Sequence, residues 1–218
     1  MDKRPAIVTG LWGISVVIGI VAMTRYQTTP GAAATPPHRI PLATVSTENS
    51  ARMGKLLVFL HPQCGCSRAT VDELDRIEAK AGKALDTTIY FYKPSSEPDS
   101  WCKESTLWMV AKDIPGVSLR IDVDAHAAKK FGARCSGEIL LYASNSGRLL
   151  FSGGITPGRG HEGESAGGDS ILAFSQNGRC PLASTPVYGC AIWSDLDSAS
   201  NTTIAPNVQK GLSRGGLK

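Results

Sequence analysis

Residues Lys55 to Gly82, KLLVFLHPQCGCSRATVDELDRIEAKAG, constrain the fold of this chain more tightly than any other stretch. Leu56 to Leu60 form an unbroken apolar run, which suits a strand buried on both faces. After Cys64 and Cys66, apolar residues return at Val71, Leu74, Ile77 and Ala81, the spacing of an amphipathic helix, and Gly82 marks its end. The cysteines are therefore expected on a strand-to-helix turn. A helix N-terminus presents unpaired N–H groups and a partial positive charge, both of which favour a thiolate, and Arg68 adds a full positive charge nearby. A cysteine of low pKa with a second thiol beside it has the chemistry of disulfide exchange. Two adjacent cysteines would also suit half of a zinc site, or simple packing, but no second C-x₂-C or H-x₃-H pair occurs in the sequence.

The amino terminus supplies a second constraint. Residues 5–24, PAIVTGLWGISVVIGIVAMT, carry no charge, and their length matches a helix crossing a bilayer. They exceed the usual apolar part of a cleaved signal, although Ala32-Ala33-Ala34 would make a small-residue cleavage site. Residues 1–4 are expected as a cytoplasmic tail, because a short tail rarely crosses ahead of a long domain. That makes the chain a single-pass membrane protein whose domain faces the periplasm or the cell exterior. Residues 25–50, rich in Pro, Ala and Thr, read as a semi-extended tether, residues 51–193 as the domain with a C-terminal extension, and 194–218 as a disordered tail. Asn201-Thr202-Thr203 in that tail fits a glycosylation acceptor. The net charge of +4 is not gathered into basic runs, which argues against a nucleic-acid partner. Six cysteines suit an oxidising compartment.

Within the domain, Thr87–Tyr92 is β-branched and aromatic and reads as a strand, and residues 101–113 as a helix stopped by Pro115. Val117–Val123 reads as a strand and Ala125–Phe131 as a short helix. Glu138–Tyr142 and Arg148–Ser152 flank the turn signal Asn145-Ser146-Gly147 and so form a hairpin, and Ile171–Phe174 opens a last helix. The order β-α-β-α-β-α-β-β-α predicts an α/β fold with a mixed, mostly parallel sheet covered by helices on both faces and an antiparallel edge.

That order, with cysteines after the first strand, resembles the thioredoxin-like fold over about Lys55 to Gln176. The wording of HPQCGCSRAT (61–70), SGEILLY (136–142), GRLLFSGGITPGRGHEG (147–163) and PVYGCAI (186–192) is similar to membrane-anchored bacterial redoxins of the TlpA and RedB kind. The resemblance implies a thiol–disulfide oxidoreductase acting on disulfide-containing proteins outside the cytoplasm, with a membrane electron donor as a further partner and no cofactor. It also implies that Cys64 attacks and Cys66 resolves, though Cys66 lies nearer the helix start and the roles are open to reversal. This sequence departs from the pattern in three ways. Only Gly65 separates the cysteines, so a more strained and more easily reduced disulfide is expected than in a CxxC pair. Ser136-Gly137 stands where thioredoxins carry the cis-proline that receives substrate backbone, and Gly137 is free to take an unusual backbone geometry. His61 replaces the threonine of peroxiredoxins, which disfavours peroxide reduction.

Several other residues are candidates for chemistry. His61 is either a proton donor and acceptor or a turn-fixing residue. Cys135 is either a redox partner or a packing residue. Cys180 and Cys190 are placed either to form a structural disulfide pinning the tail or, for Cys190, to reach the pair as a third redox thiol. Cys102 has no evident partner. Gly153–Asp169, rich in glycine, lacks the lysine and hydroxyl of a phosphate loop and is expected as a mobile cover over the cysteines, with His161 its notable residue. A rival reading is a binding module in which Cys64, Cys66 and either His161 or His61 hold a soft metal such as Cu(I).

Overall fold

The computed structural model describes residues 4–41 and 53–193. The expected disordered tail and its glycosylation signal lie outside the described residues, as do residues 1–3 and most of the second half of the tether. Helix α1 spans Arg4–Thr28, and its Ile7–Thr28 portion is apolar enough to cross a membrane, with none of it buried against the rest of the chain. It runs four residues past the expected limit at Thr24, as the segment after Arg25 stays helical.

The domain follows the order β1 (Gly54–Leu60), α2 (Cys66–Ala81), β2 (Leu85–Lys93), α3 (Asp99–Lys103), α4 (Thr106–Ala111), β3 (Val117–Val123), α5 (His126–Phe131), β4 (Glu138–Ala143), β5 (Leu149–Gly153) and α6 (Ala166–Asn177). The single helix expected over 101–113 is two, because Ser105 caps a new start by accepting the Trp108 N–H at 3.2 Å. Helix α6 likewise begins earlier than expected, at a cap in which the Ser165 hydroxyl accepts the Gly168 N–H at 3.1 Å.

The five strands lie side by side in the order β3-β2-β1-β4-β5. β1 pairs in parallel with β2, and β2 with β3, while β4 is antiparallel to both β1 and β5. The antiparallel strand is thus β4, inside the sheet, and not the edge strand. Every residue of β1 is buried, as its unbroken apolar run requires of a central strand. One face carries Leu56, Val58, Leu60 and Ile89 under α2, α4 and α6. The other carries Leu57, Phe59, Leu140 and Tyr142 under α5 and two extended segments.

One of those segments corrects the reading of residues 25–50 as a free tether. Thr35 donates its N–H to Gly132 at 3.1 Å, Ile40 donates to Gly147 at 2.9 Å, and the Tyr142 hydroxyl donates to Pro37 O at 3.2 Å. Ile40 is itself buried in the second core. Residues 31–40 are therefore a strap across the domain, and α1 is brought close to its surface. The other segment, 183–192, pairs with the outer edge of β5 through Ser152 N–H to Ala183 O (3.0 Å) and Thr185 N–H to Ser152 O (3.3 Å). It then crosses to the loop before β4, where Ile192 donates to Arg134 O at 2.9 Å.

Candidate redox site

The turn between β1 and α2 is built by local hydrogen bonds. Cys64 N–H donates to His61 O at 3.0 Å, and Ser67 N–H donates to Cys64 O at 3.0 Å, which starts the helix. Gly65 is the cap residue and Cys66 the first helical residue. His61 Nδ1 accepts the Gln63 N–H at 3.2 Å, and its ring stacks on Tyr92 and meets Trp101 edge-on. Burial holds the His61 imidazole below its usual pKa. The bond to Gln63 is a turn-fixing contact, while the groups that lower the Cys64 pKa are Ser67, Cys190 and Cys66.

The sequence left open which cysteine is the nucleophile, and their surroundings shift the two thiols in opposite directions. Burial raises the Cys64 pKa, but hydrogen bonds from the Ser67 hydroxyl, the Cys190 N–H, the Cys190 thiol and the Cys66 N–H outweigh it, so the net direction is down. Cys66 moves the other way, raised first by burial and then by the charge of Cys64, with Arg159 pulling it partly back. Cys190, although exposed as a residue, is pushed up to about 11 by partial desolvation of its thiol and by the two neighbouring thiols. A chain of hydroxyls supports the Cys64 thiolate. Ser136 Oγ accepts the His61 N–H at 2.7 Å and lies 2.5 Å from Ser67 Oγ. With the Ser136 proton directed at Ser67, the Ser67 proton is left for the sulfur. Cys64 is 9% exposed, yet it opens onto a groove of about 530 Å³ lined by Pro62, Arg68, Trp101, Ser105 and Leu107.

Arg68 does not supply the charge expected of it. It lines that groove but is held in an ion pair with Asp72 at 2.8 Å. The cation beside Cys66 is Arg159, which nothing in its glycine-rich surroundings singles out. Arg159 N–H donates to Gln27 O at 3.0 Å, its guanidinium donates to Thr29 O at 3.2 Å, and it lies over the Tyr26 ring at 5.0 Å. The end of α1 is thereby fastened to the thiol site. The expected mobile cover is also tied down, since Gly163 N–H donates to Glu73 and Arg76 pairs with Glu162.

Among the described residues, the Cys64, Cys66 and Cys190 sulfurs all lie within 4.8 Å of one another, and neither His61 nor His161 joins them. His161 is exposed, its N–H turned back to Gly158 O at 3.2 Å. The Cys180–Cys190 disulfide is not formed: all six cysteines are free, and the Cys180 thiol donates to Leu182 O at 3.1 Å. Cys135 is buried, donates to Ala32 O at 3.4 Å and stands apart from the trio, so it packs against the strap. Cys102 is fully buried in the core, with its pKa pushed up to about 11.

Ser136-Gly137, at the cis-proline position, contains no cis bond. Gly137 has φ +93°, a conformation that favours glycine, and its N–H donates to Phe59 O at 2.8 Å. The adjacent Ser136 N–H donates to Cys190 O at 2.8 Å. One residue on, Glu138 is buried with Oε1 accepting from Ser152 at 3.2 Å and Oε2 without a partner, and burial raises its pKa to about 7. Ser67, Arg159 and Glu138 are thus the residues of the site region that sequence reasoning missed, while Ser136 was placed there but not given its contact with Ser67.

No family model matches the chain, and no curated protein matches it either. Among solved structures, an uncharacterized conserved protein from Geobacillus kaustophilus is 19% identical, with 76% of this chain covering 93% of that one at a TM-score of 0.55. A hypothetical protein from Sinorhizobium meliloti 1021 is 20% identical, with 77% of this chain covering 96% of that one at 0.49. The exposed lipoprotein thioredoxin Etrx1 from Streptococcus pneumoniae strain TIGR4 is 16% identical, with 62% of this chain covering 88% of that one at 0.43. The strand order, the β4–β5 hairpin closed by α6 and the cysteine pair at the β1–α2 turn make the fold thioredoxin-like.

Proposed function

We propose that this chain is a membrane-tethered thiol–disulfide oxidoreductase that reduces or isomerises disulfides of proteins outside the cytoplasm, facing the periplasm or the cell exterior. One observation carries the reading: Cys64 and Cys66 meet at the head of α2 with their sulfurs within 4.8 Å, and Cys64 borders an open groove; the surroundings lower its pKa and raise those of the other five cysteines. The Cys64 thiolate attacks a partner disulfide and expels one partner thiolate, leaving a mixed disulfide. Cys66, kept protonated until then, loses its proton and attacks the Cys64 sulfur, which releases the second partner thiolate and leaves a Cys64–Cys66 disulfide. A membrane electron donor would return the pair to the dithiol. The contacts of Tyr26, Gln27 and Thr29 with Arg159 support partners that approach close to the bilayer surface.

A second reading has its own observation. Three sulfurs within 4.8 Å of one another form a soft donor set suited to Cu(I), with Cys190 taking the place expected for a histidine. One experiment addresses both readings: full-length reduced protein in detergent is mixed with oxidised glutathione, and metal is measured on the same sample. Exchange should release reduced glutathione and leave the Cys64–Cys66 disulfide in metal-free protein. One equivalent of bound copper with no glutathione released would favour the metal carrier.

A further inference from the structure

The chain fills part of its own site. Segment 183–192 lies antiparallel to residues 134–136, with Cys135 opposite Ala191, Ser136 N–H donating to Cys190 O at 2.8 Å and Ile192 N–H donating to Arg134 O at 2.9 Å. The approach is so close that a Cβ on Gly189 would stand 1.7 Å from the Ser136 carbonyl oxygen, so only glycine fits there. The strap holds the segment from the other side through Gly31 N–H to Val187 O at 2.8 Å. These bonds fix Cys190 where its sulfur lies within 4.8 Å of both the Cys64 and the Cys66 sulfur. Unlike the buried Cys102 and Cys135, Cys190 is exposed.

We infer that Cys190 is a third exchange thiol, held in the site by its own backbone as a captive partner, and that Cys64 forms disulfides alternately with Cys66 and with Cys190. The inference rests on the reading that Cys64 is an exchange nucleophile. Starting from the Cys64–Cys66 disulfide, Cys190 loses its proton and attacks the Cys64 sulfur; the Cys64–Cys66 bond breaks, and Cys66 leaves as a thiolate that takes up the proton. No electrons are gained or lost, so no outside reagent is needed. The Cys64–Cys66 ring closes across one residue and is the more strained of the two products, which favours the transfer. The same attack on a mixed disulfide at Cys64 releases the partner without Cys66.

This gives a consequence opposite to that of a two-cysteine site: removing Cys66 alone does not trap a mixed disulfide. Full-length protein in detergent, as wild type, Cys66→Ser and Cys66→Ser/Cys190→Ser, is treated with oxidised glutathione, quenched in acid, alkylated and mapped by mass spectrometry. An intramolecular thiol acts at an effective concentration in the millimolar range, so the double variant should retain at least ~tenfold more glutathione on Cys64 than Cys66→Ser does. Cys66→Ser should instead carry a Cys64–Cys190 disulfide. Equal retention of glutathione in both variants overturns the inference while leaving Cys64 as a nucleophile. Absence of glutathione from Cys64 in the double variant overturns the exchange reading and this inference with it. Wild-type protein gives an answer independent of the variants' folding: at equilibrium in a glutathione buffer, Cys64–Cys190 peptides should accompany Cys64–Cys66 peptides, and Cys64–Cys66 alone would contradict the proposal.

Discussion

Replacing Cys64 with alanine should abolish exchange with oxidised glutathione, lowering its rate by ~10³-fold or more, while His161→Ala leaves the first attack intact. The size of the effect follows from the division of labour at the site. Attack depends on thiolate, and only Cys64 is held below its ordinary pKa, the hydroxyl of Ser67 and the polar groups of Cys190 and Cys66 outweighing its burial. Cys66 and Cys190 are each raised by burial and by Cys64 itself, so neither replaces it near neutral pH. Removing Cys64 relieves part of that repulsion without giving the others its donors. Release of glutathione by Cys64→Ala at more than about a tenth of the wild-type rate would show that another sulfur is the nucleophile.

Replacing Glu138 with glutamine should stabilise the protein at pH 8 and change little at pH 4. Burial lifts the Glu138 pKa from 4.5 to about 7, and one carboxylate oxygen has no partner. A group whose folded-state pKa is raised favours folding while it is protonated. Its contribution is complete below about pH 4.5 and is lost as pH rises through about 7. At 1.36 kcal/mol per pH unit, that loss is on the order of 3 kcal/mol at pH 8. For a domain of this size the glutamine variant should melt roughly 5–10 °C above wild type at pH 8, with the difference fading below pH 5. Melting curves that coincide at both pH values would mean that Glu138 is solvated or paired in solution. The site is coupled to this group through the chain, because Glu138 follows directly on the Ser136-Gly137 turn that holds Cys190.

What the sequence revealed divides along local and long-range lines. The β1–α2 turn was legible because an apolar run, two cysteines and a 3.6-residue period are contiguous. The strands from β2 to β5 were legible for the same reason, each being a run of β-branched or apolar residues bounded by glycine, proline or turn residues. Helix α6 was read late because Gly167 and Gly168 are poor helix formers, although the Ser165 cap was there to be seen. The strap could not be read. It is held by backbone bonds from Gly31, Thr35 and Ile40, and proline-rich composition reads as a spacer whether or not the segment is docked. The trio was legible only as an alternative, since Cys190 reaches Cys64 through a crossing that depends on Gly189 and on the edges of β5 and the loop before β4. Arg159 carries no local signal at all, because its importance comes from meeting the end of α1 and Cys66 at once. Arg68, which has the right spacing from the cysteines, is neutralised by Asp72 one helical turn away.

The most direct test of Cys64 as the poised nucleophile is the pH dependence of its alkylation in reduced full-length protein, read residue by residue by mass spectrometry. Cys64 should react first, with a midpoint below that of an ordinary cysteine thiol, while Cys66 and Cys190 react only at higher pH or once Cys64 is blocked. A Cys64 midpoint at or above the ordinary value, or earlier labelling of Cys66, would contradict it.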